Sequence, residues 1–201
     1  MEDTFQTIAE ATPEVLFKEK QSKFFGYAFP VQSEEEVKAC LEKIKKQHPQ
    51  ARHWCYAYQI GFPNIKWRAN DDGEPNHTAG TPILGQIQSF TLTNVLVIVV
   101  RYFGGIKLGV SGLIGSYRTA AQMTLQEASI IKKVLQEHIH LQFPYHCTNQ
   151  VMRWLKEFEA EILHQNQQET YYMQVGIKKA DWPKAEASLN LLYEVRWKLD
   201  N

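Results

Sequence analysis

Val95-Leu96-Val97-Ile98-Val99-Val100-Arg101-Tyr102-Phe103-Gly104-Gly105-Ile106-Lys107-Leu108-Gly109 is the stretch on which the fold turns. Six apolar residues, mostly β-branched, read as a strand buried in a core. The run breaks into a glycine-rich loop, and an amphipathic segment follows that Ser111 is placed to cap. Strand, flexible loop and helix N-terminus together present backbone N–H groups to an anion. Arg101 and Lys107 add charge where those donors converge, so Arg101, Gly104, Gly105 and Lys107 are candidate anion ligands. The other reading is that the glycines only permit tight turns. A Walker loop is excluded, because Gly104 and Gly109 have its spacing but Val110 stands where its lysine must be.

Upstream, Asp71-Asp72-Gly73-Glu74-Pro75 is a turn-rich acidic loop. Its carboxylates Asp71, Asp72 and Glu74 could hold a hard cation such as Mg²⁺, although the spacing is not that of an EF-hand. An exposed acidic loop without an ion is the alternative. His53 and Cys55 lie two apart on a predicted strand and so share a face. His53 is a candidate ligand contact; Cys55 reads as a small buried hydrophobe rather than a nucleophile, since same-strand neighbours seldom align as nucleophile and base. His77 flanks the acidic loop and reads as a solvated loop histidine. Trp54, Tyr56, Tyr58, Trp67, Tyr102 and Phe103 could stack on bases, or could fill a core.

Working outward, Phe24 to Pro30 reads as a first strand, followed by a helix capped by Ser33. Glu34 to Glu36 open that helix, Lys45-Lys46 close it, and His48-Pro49 stops it. Trp54 to Ile60 and Ile65 to Arg68 form a hairpin. A helix starts at Thr81-Pro82, and the helix after the glycine loop ends at Lys132-Lys133. The pattern then restarts. Ile139 to Phe143, a helical stripe of Val151, Trp154, Leu155 and Phe158, and Glu161 to His164 come first. A polar turn at Asn166-Gln167-Gln168 follows. Alternation from Tyr171 to Ile177, a helix capped by Asp181, and Tyr193 to Trp197 complete the chain. This β-α-β-β-α-β order is the split βαβ, ferredoxin-like arrangement. The expected class is α+β with two domains, residues 1–134 and 135–201.

The chain has 201 residues and no net charge, with 22 basic and 22 acidic residues, which argues against bulk-charge attachment to nucleic acid. Ala51 to Arg118 carries six basic and three acidic residues, so a phosphate-bearing partner would be met there. Three scattered cysteines with no C-x-x-C pair indicate neither a disulfide framework nor a zinc site. The acidic N-terminus lacks a signal core, and no apolar run is long enough to span a bilayer. A soluble cytoplasmic protein is expected.

Several motifs occur together in order: Ser22-Lys23-Phe24, Ala51-Arg52-His53-Trp54-Cys55-Tyr56-Ala57-Tyr58, Asp71-Asp72-Gly73-Glu74-Pro75, Thr78-Ala79-Gly80-Thr81-Pro82-Ile83-Leu84 and Arg101-Tyr102-Phe103-Gly104-Gly105-Ile106-Lys107-Leu108-Gly109. Together they resemble the IMPACT family, in particular its bacterial, YigZ-type branch. The resemblance implies a first domain that is a βαβ-rich sandwich similar to ribonuclease PH and to a domain of elongation factor G, and a ferredoxin-like second domain. It implies a cytoplasmic role in translational control, as a regulator binding RNA, the ribosome or a translation-associated protein. Eukaryotic members restrain an amino-acid-starvation pathway, which gives a stress-response expectation. It supplies no catalytic residues, so an enzyme is not the first expectation and no cofactor is implied. The alternative is a Mg²⁺-dependent enzyme or nucleotide-binding protein acting on a phosphate compound. The chain departs from the family pattern after the glycine loop, where Gly115 stands in place of a usual arginine, with Arg118 three positions on.

Overall fold

The computed structural model describes residues 3–167 and 170–200. Met1 and Glu2 of the acidic N-terminus, and Gln168 of the expected polar turn, lie outside them. The architecture is mixed α/β and divides into two compact units, one of Phe5–Lys133 and one of the residues from Val134 onward with Asp3 and Thr4.

The elements of the first part of the chain are β1 (Thr4–Ile8), β2 (Val15–Glu19), β3 (Ser22–Pro30), α1 (Glu34–Gln47), β4 (His53–Ile60), β5 (Lys66–Asn70), α2 (Gly80–Ser89), β6 (Val95–Tyr102), α3 (Gly109–Gln126) and β7 (Ile130–Val134). Five of the strands form an antiparallel sheet in the order β2-β3-β6-β4-β5. Strand β6 is the centre, and β3 and β4 flank it. Strands β3 and β4, joined by α1, run parallel to each other with β6 between them, a split βαβ unit.

The apolar run of β6 is continuous because both faces of the sheet are covered. Val95, Val97 and Val99 join one core with Ile83 and Ile87 of α2 and Leu113, Ala121 and Leu125 of α3. Leu96, Ile98 and Val100 join another core with Val37 and Ile44 of α1. All six strand residues are fully buried, and each such side chain contributes about 1.5–3 kcal/mol of transfer free energy. Helix α1 starts as its sequence predicts: the Ser33 hydroxyl accepts from the Glu36 N–H at 3.2 Å. The Glu36 carboxylate reaches back to the Gln32 N–H at 2.7 Å.

Several boundaries differ from the sequence reading. Phe24–Pro30 lies in the third strand, because the short, half-exposed β1 and β2 precede it. Helix α3 begins at Gly109 with no side-chain cap, so Ser111 sits inside its first turn. It ends at Gln126, and Lys132 and Lys133 lie on β7. Helix α2 begins at Gly80, and Thr81 does not cap it.

The second part of the chain contains β8 (Gln136–Phe143), a short 3-10 turn, α4 (Thr148–Glu157), β9 (Glu161–Gln167), β10 (Tyr171–Lys178), α5 (Trp182–Leu189) and β11 (Arg196–Leu199). The strands form an antiparallel sheet in the order β11-β8-β10-β9. Alternation places Ile139, Leu141, Phe143, Met173, Val175 and Ile177 on one face, against Val151, Trp154 and Leu155 of α4 and Ala185 and Leu189 of α5. The Trp154 indole N–H donates to the Ala185 carbonyl at 3.1 Å, tying the two helices together. Asn166 and Gln167 close β9 instead of turning, Asp181 makes no side-chain cap, and Tyr193 precedes the last strand, almost fully exposed.

Candidate functional site: a buried polar network beneath the glycine loop

The two loops singled out in the sequence come together, and the acidic one is turned inward. Asp71 accepts from the Ala79 and Gly80 N–H groups through Oδ1, at 2.9 and 2.8 Å. Its Oδ2 accepts from the His77 N–H at 2.8 Å. The carboxylate thus caps α2 from eight residues upstream, where helix N–H groups lack partners and the dipole favours negative charge. Asp72 accepts from the Trp54 N–H at 2.8 Å and holds the end of β4.

Glu74 is buried, and its Oε1 accepts from Arg101 Nη1 at 2.7 Å and from the Tyr117 hydroxyl at 2.8 Å. The network continues through Cys55. Its thiol donates to the Asp71 carbonyl at 3.0 Å and lies 3.3 Å from the Tyr117 oxygen. Burial pushes the Cys55 thiol and the Tyr117 hydroxyl far above their usual pKa values. Both stay protonated, and Cys55 is a core residue and hydrogen-bond donor rather than a nucleophile. His53 Nδ1–H donates to the Asp72 carbonyl at 2.9 Å. That bond leaves Nε2 as the available ring nitrogen.

Among the described residues, Asp71, Asp72 and Glu74 do not offer three ligand oxygens within 4.8 Å of one another. Asp71 and Asp72 accept from backbone N–H groups, and Glu74 accepts from a guanidinium and a phenol. The Arg101 side chain is buried against Glu74, and its guanidinium carbon lies 5.6 Å from the ring centroids of Phe24 and Phe103. Its Nε has no hydrogen-bond partner among the described residues.

The glycines divide by role. A Cβ on Gly104 would lie 2.1 Å from the Gln21 carbonyl carbon, so glycine is required by close backbone approach, and its N–H donates to the Ser22 hydroxyl at 3.3 Å. Gly105 is exposed with φ +87°, which favours glycine for conformation alone. Lys107 is exposed on the loop, among Phe103 (56% exposed), Ile106 (45%) and Val110 (60%). The surface of the loop is thus apolar with a single cation.

The aromatic set is not assembled for stacking. Tyr58 is buried, Trp54, Tyr56 and Tyr102 pack with the α1 core, and Trp67 and Phe103 are exposed. His77 and Arg118 instead line an open groove of about 430 Å³ beside Pro82, Gly85 and Ile114. Sequence reasoning missed a second network on the α1 face. His48, read only as a helix stop, bonds Tyr27 and, through Nδ1, the Tyr102 hydroxyl at 3.0 Å, while Tyr27 also donates to Glu14. These residues are scattered from position 14 to position 102, so no local spacing announces them.

Among the described residues no helix is long and apolar enough to cross a membrane. The family model for the Impact N-terminal domain matches residues 20–125, which span β3 through α3 and contain the whole network. The chain is 36% identical over 159 residues to the IMPACT family member YvyE of Bacillus subtilis, covering 79% of this chain and 70% of that one. It is 30% identical over 182 residues to the IMPACT family member YigZ of Escherichia coli, covering 89% of each. The crystal structure of a hypothetical protein superposes over 100% of this chain and 99% of its own, with a TM-score of 0.72 and 26% identity. With its motifs set in one buried network inside the matched region, the chain belongs to the IMPACT family.

Proposed function

We propose that this protein acts by binding, and that it docks a protein of the translation machinery through the loop from Phe103 to Leu108 and the start of α3 at Val110. The observation that carries this reading is the apolar surface of that loop. Phe103, Ile106 and Val110 are each more than two-fifths exposed around Lys107, on a backbone anchored by Gly104 against Gln21 and by Arg101 against Glu74. An exposed apolar cluster with a polar rim suits a protein interface better than a phosphate.

The family resemblance supports a cytoplasmic role in translational control. It also supports reading the first unit as similar to ribonuclease PH and an elongation factor G domain, and the second as ferredoxin-like; the observed strand order fits the latter. The Mg²⁺-enzyme alternative would draw on Asp71, Asp72 and Glu74, whose oxygens accept the hydrogen bonds described above.

The test is co-sedimentation of purified protein with ribosomes and translation factors from the cells that make it. Wild type is expected to associate and to remain bound when salt is raised to about 0.5 M, since apolar contacts are little screened. Phe103→Ser with Ile106→Ser is expected to abolish association. Equal association by that variant would overturn the reading.

A further inference from the structure

The open face of the second sheet carries a separate site. Helices α4 and α5 cover one face, so the even-numbered residues of β8, β10 and β11 point away from that core. Register aligns them into two adjacent rows. The first is Arg196, Gln142, Tyr172 and Asn166. The second is Lys198, His140, Gln174 and His164. Between the rows lies a shallow groove of about 340 Å³ lined by Arg196, Lys198, His140, Gln142 and Tyr172, together with Leu141 and Trp197.

The chemistry of the groove is specific. Two cations line it and no carboxylate does. Among the described residues neither Arg196 nor Lys198 makes an ion pair. Asp200 is engaged by His140 at 3.1 Å and by Gln174. Tyr172 is 45% exposed, and its hydroxyl accepts from Gln142 Nε2 at 2.9 Å, which holds the phenol over the sheet. Strands lie about 4.8 Å apart, so Tyr172 and Arg196, two strands apart, stand about 10 Å from each other across the sheet. An aromatic ring, amide and imidazole donors, and cations along one edge are what unstacked bases and a phosphate backbone require.

We infer that this face binds single-stranded RNA, with one base stacked on Tyr172, the neighbouring base edges met by Gln142 and His140, and the backbone phosphates on Arg196 and Lys198. This goes beyond the docking loop and rests on different residues and a different ligand.

The test is fluorescence anisotropy of the full chain with a labelled eight-nucleotide uridine RNA, across a salt series. Wild type is expected to bind with a log–log salt slope that the Arg196→Ala, Lys198→Ala double variant reduces by about 1.4, at roughly 0.7 per phosphate. Tyr172→Ala is expected to weaken binding about tenfold, while Tyr172→Phe retains it. Lys184→Ala, at an exposed position of α5, is expected to bind as wild type. A duplex RNA of equal length should compete poorly, because its bases are stacked. The exposed double charge variant and a thermal melt separate loss of binding from loss of fold. No binding by wild type, equal binding by Tyr172→Ala, or equal competition by the duplex would each overturn the inference. A face that served a protein partner would leave the RNA titrations flat, and that outcome overturns it as well.

Discussion

Arg101, on the central strand, donates to Glu74 of the acidic loop at 2.7 Å, with both side chains buried. The two residues lie 27 positions apart and belong to the two loops that the sequence sets out as separate sites. Their pairing clasps the acidic loop to the central strand.

Removing one partner should therefore be far worse than removing both. Glu74→Ala leaves a buried guanidinium uncompensated and is expected to cost about 3–5 kcal/mol. Arg101→Met with Glu74→Leu is expected to recover most of that loss. Urea unfolding of the three proteins measures it; a single-variant loss below about 1 kcal/mol would mean the pair is well solvated.

Asp71 should behave as a helix cap. Asp71→Ala removes the acceptor for three N–H groups and is expected to cost about 1–2 kcal/mol. Hydrogen exchange should accelerate first at His77, Ala79 and Gly80, the N–H groups it holds. Unchanged protection there would contradict the cap.

Two glycines should respond with opposite sign. Gly104→Ala places a methyl 2.1 Å from backbone and should lower the melting temperature sharply. Gly115 lies inside α3 with nothing within 4 Å of its Cβ position. Gly115→Ala should stabilise by about 0.5–1 kcal/mol, the usual gain of alanine over glycine in a helix.

Cys55 should be chemically silent. It is buried with a raised pKa, whereas Cys40 is partly exposed, although burial raises its pKa too. Native protein treated with a thiol reagent at about pH 8, near the ordinary thiol pKa, should label Cys40 first and Cys55 only on global unfolding. Early labelling of Cys55 would require an opening of the network.

His48 gives the acid dependence. Burial lowers its pKa from the ordinary 6.5, against a weaker opposing effect of Glu14. The unfolded chain then binds this proton more readily than the folded one, so the contribution of His48 to stability is full above pH 6.5 and falls as pH drops toward the folded-state value. His48→Gln should flatten the melting-temperature profile below pH 6.5. An unchanged slope would place the acid sensitivity elsewhere.

Much of the fold is legible in the sequence because it rests on local pattern. The apolar run of β6 announces a buried strand, and Ser33 with Glu34 to Glu36 announces α1. Alternation in the second unit sets out its element order, because each strand buries one face. Short β1, β2 and β7 leave little trace, since their half-exposed residues carry weak periodicity. The caps of α2 and α3 differ from the sequence reading for another reason. Thr81 and Ser111 have suitable chemistry, but Asp71 reaches the α2 terminus first and Gly109 already starts α3.

The sequence by itself determined the family, the strand–loop–helix frame and the residues that matter in it, because each is a contiguous motif. The tertiary structure alone decided what those residues do. Charge in a sequence carries no direction, and only folding shows whether a side chain points to solvent or to a partner. Here it turned Asp71, Asp72, Glu74 and Arg101 inward and left Phe103, Ile106 and Val110 outside. It also aligned Tyr172 with Arg196, far along the chain, through the register of three strands.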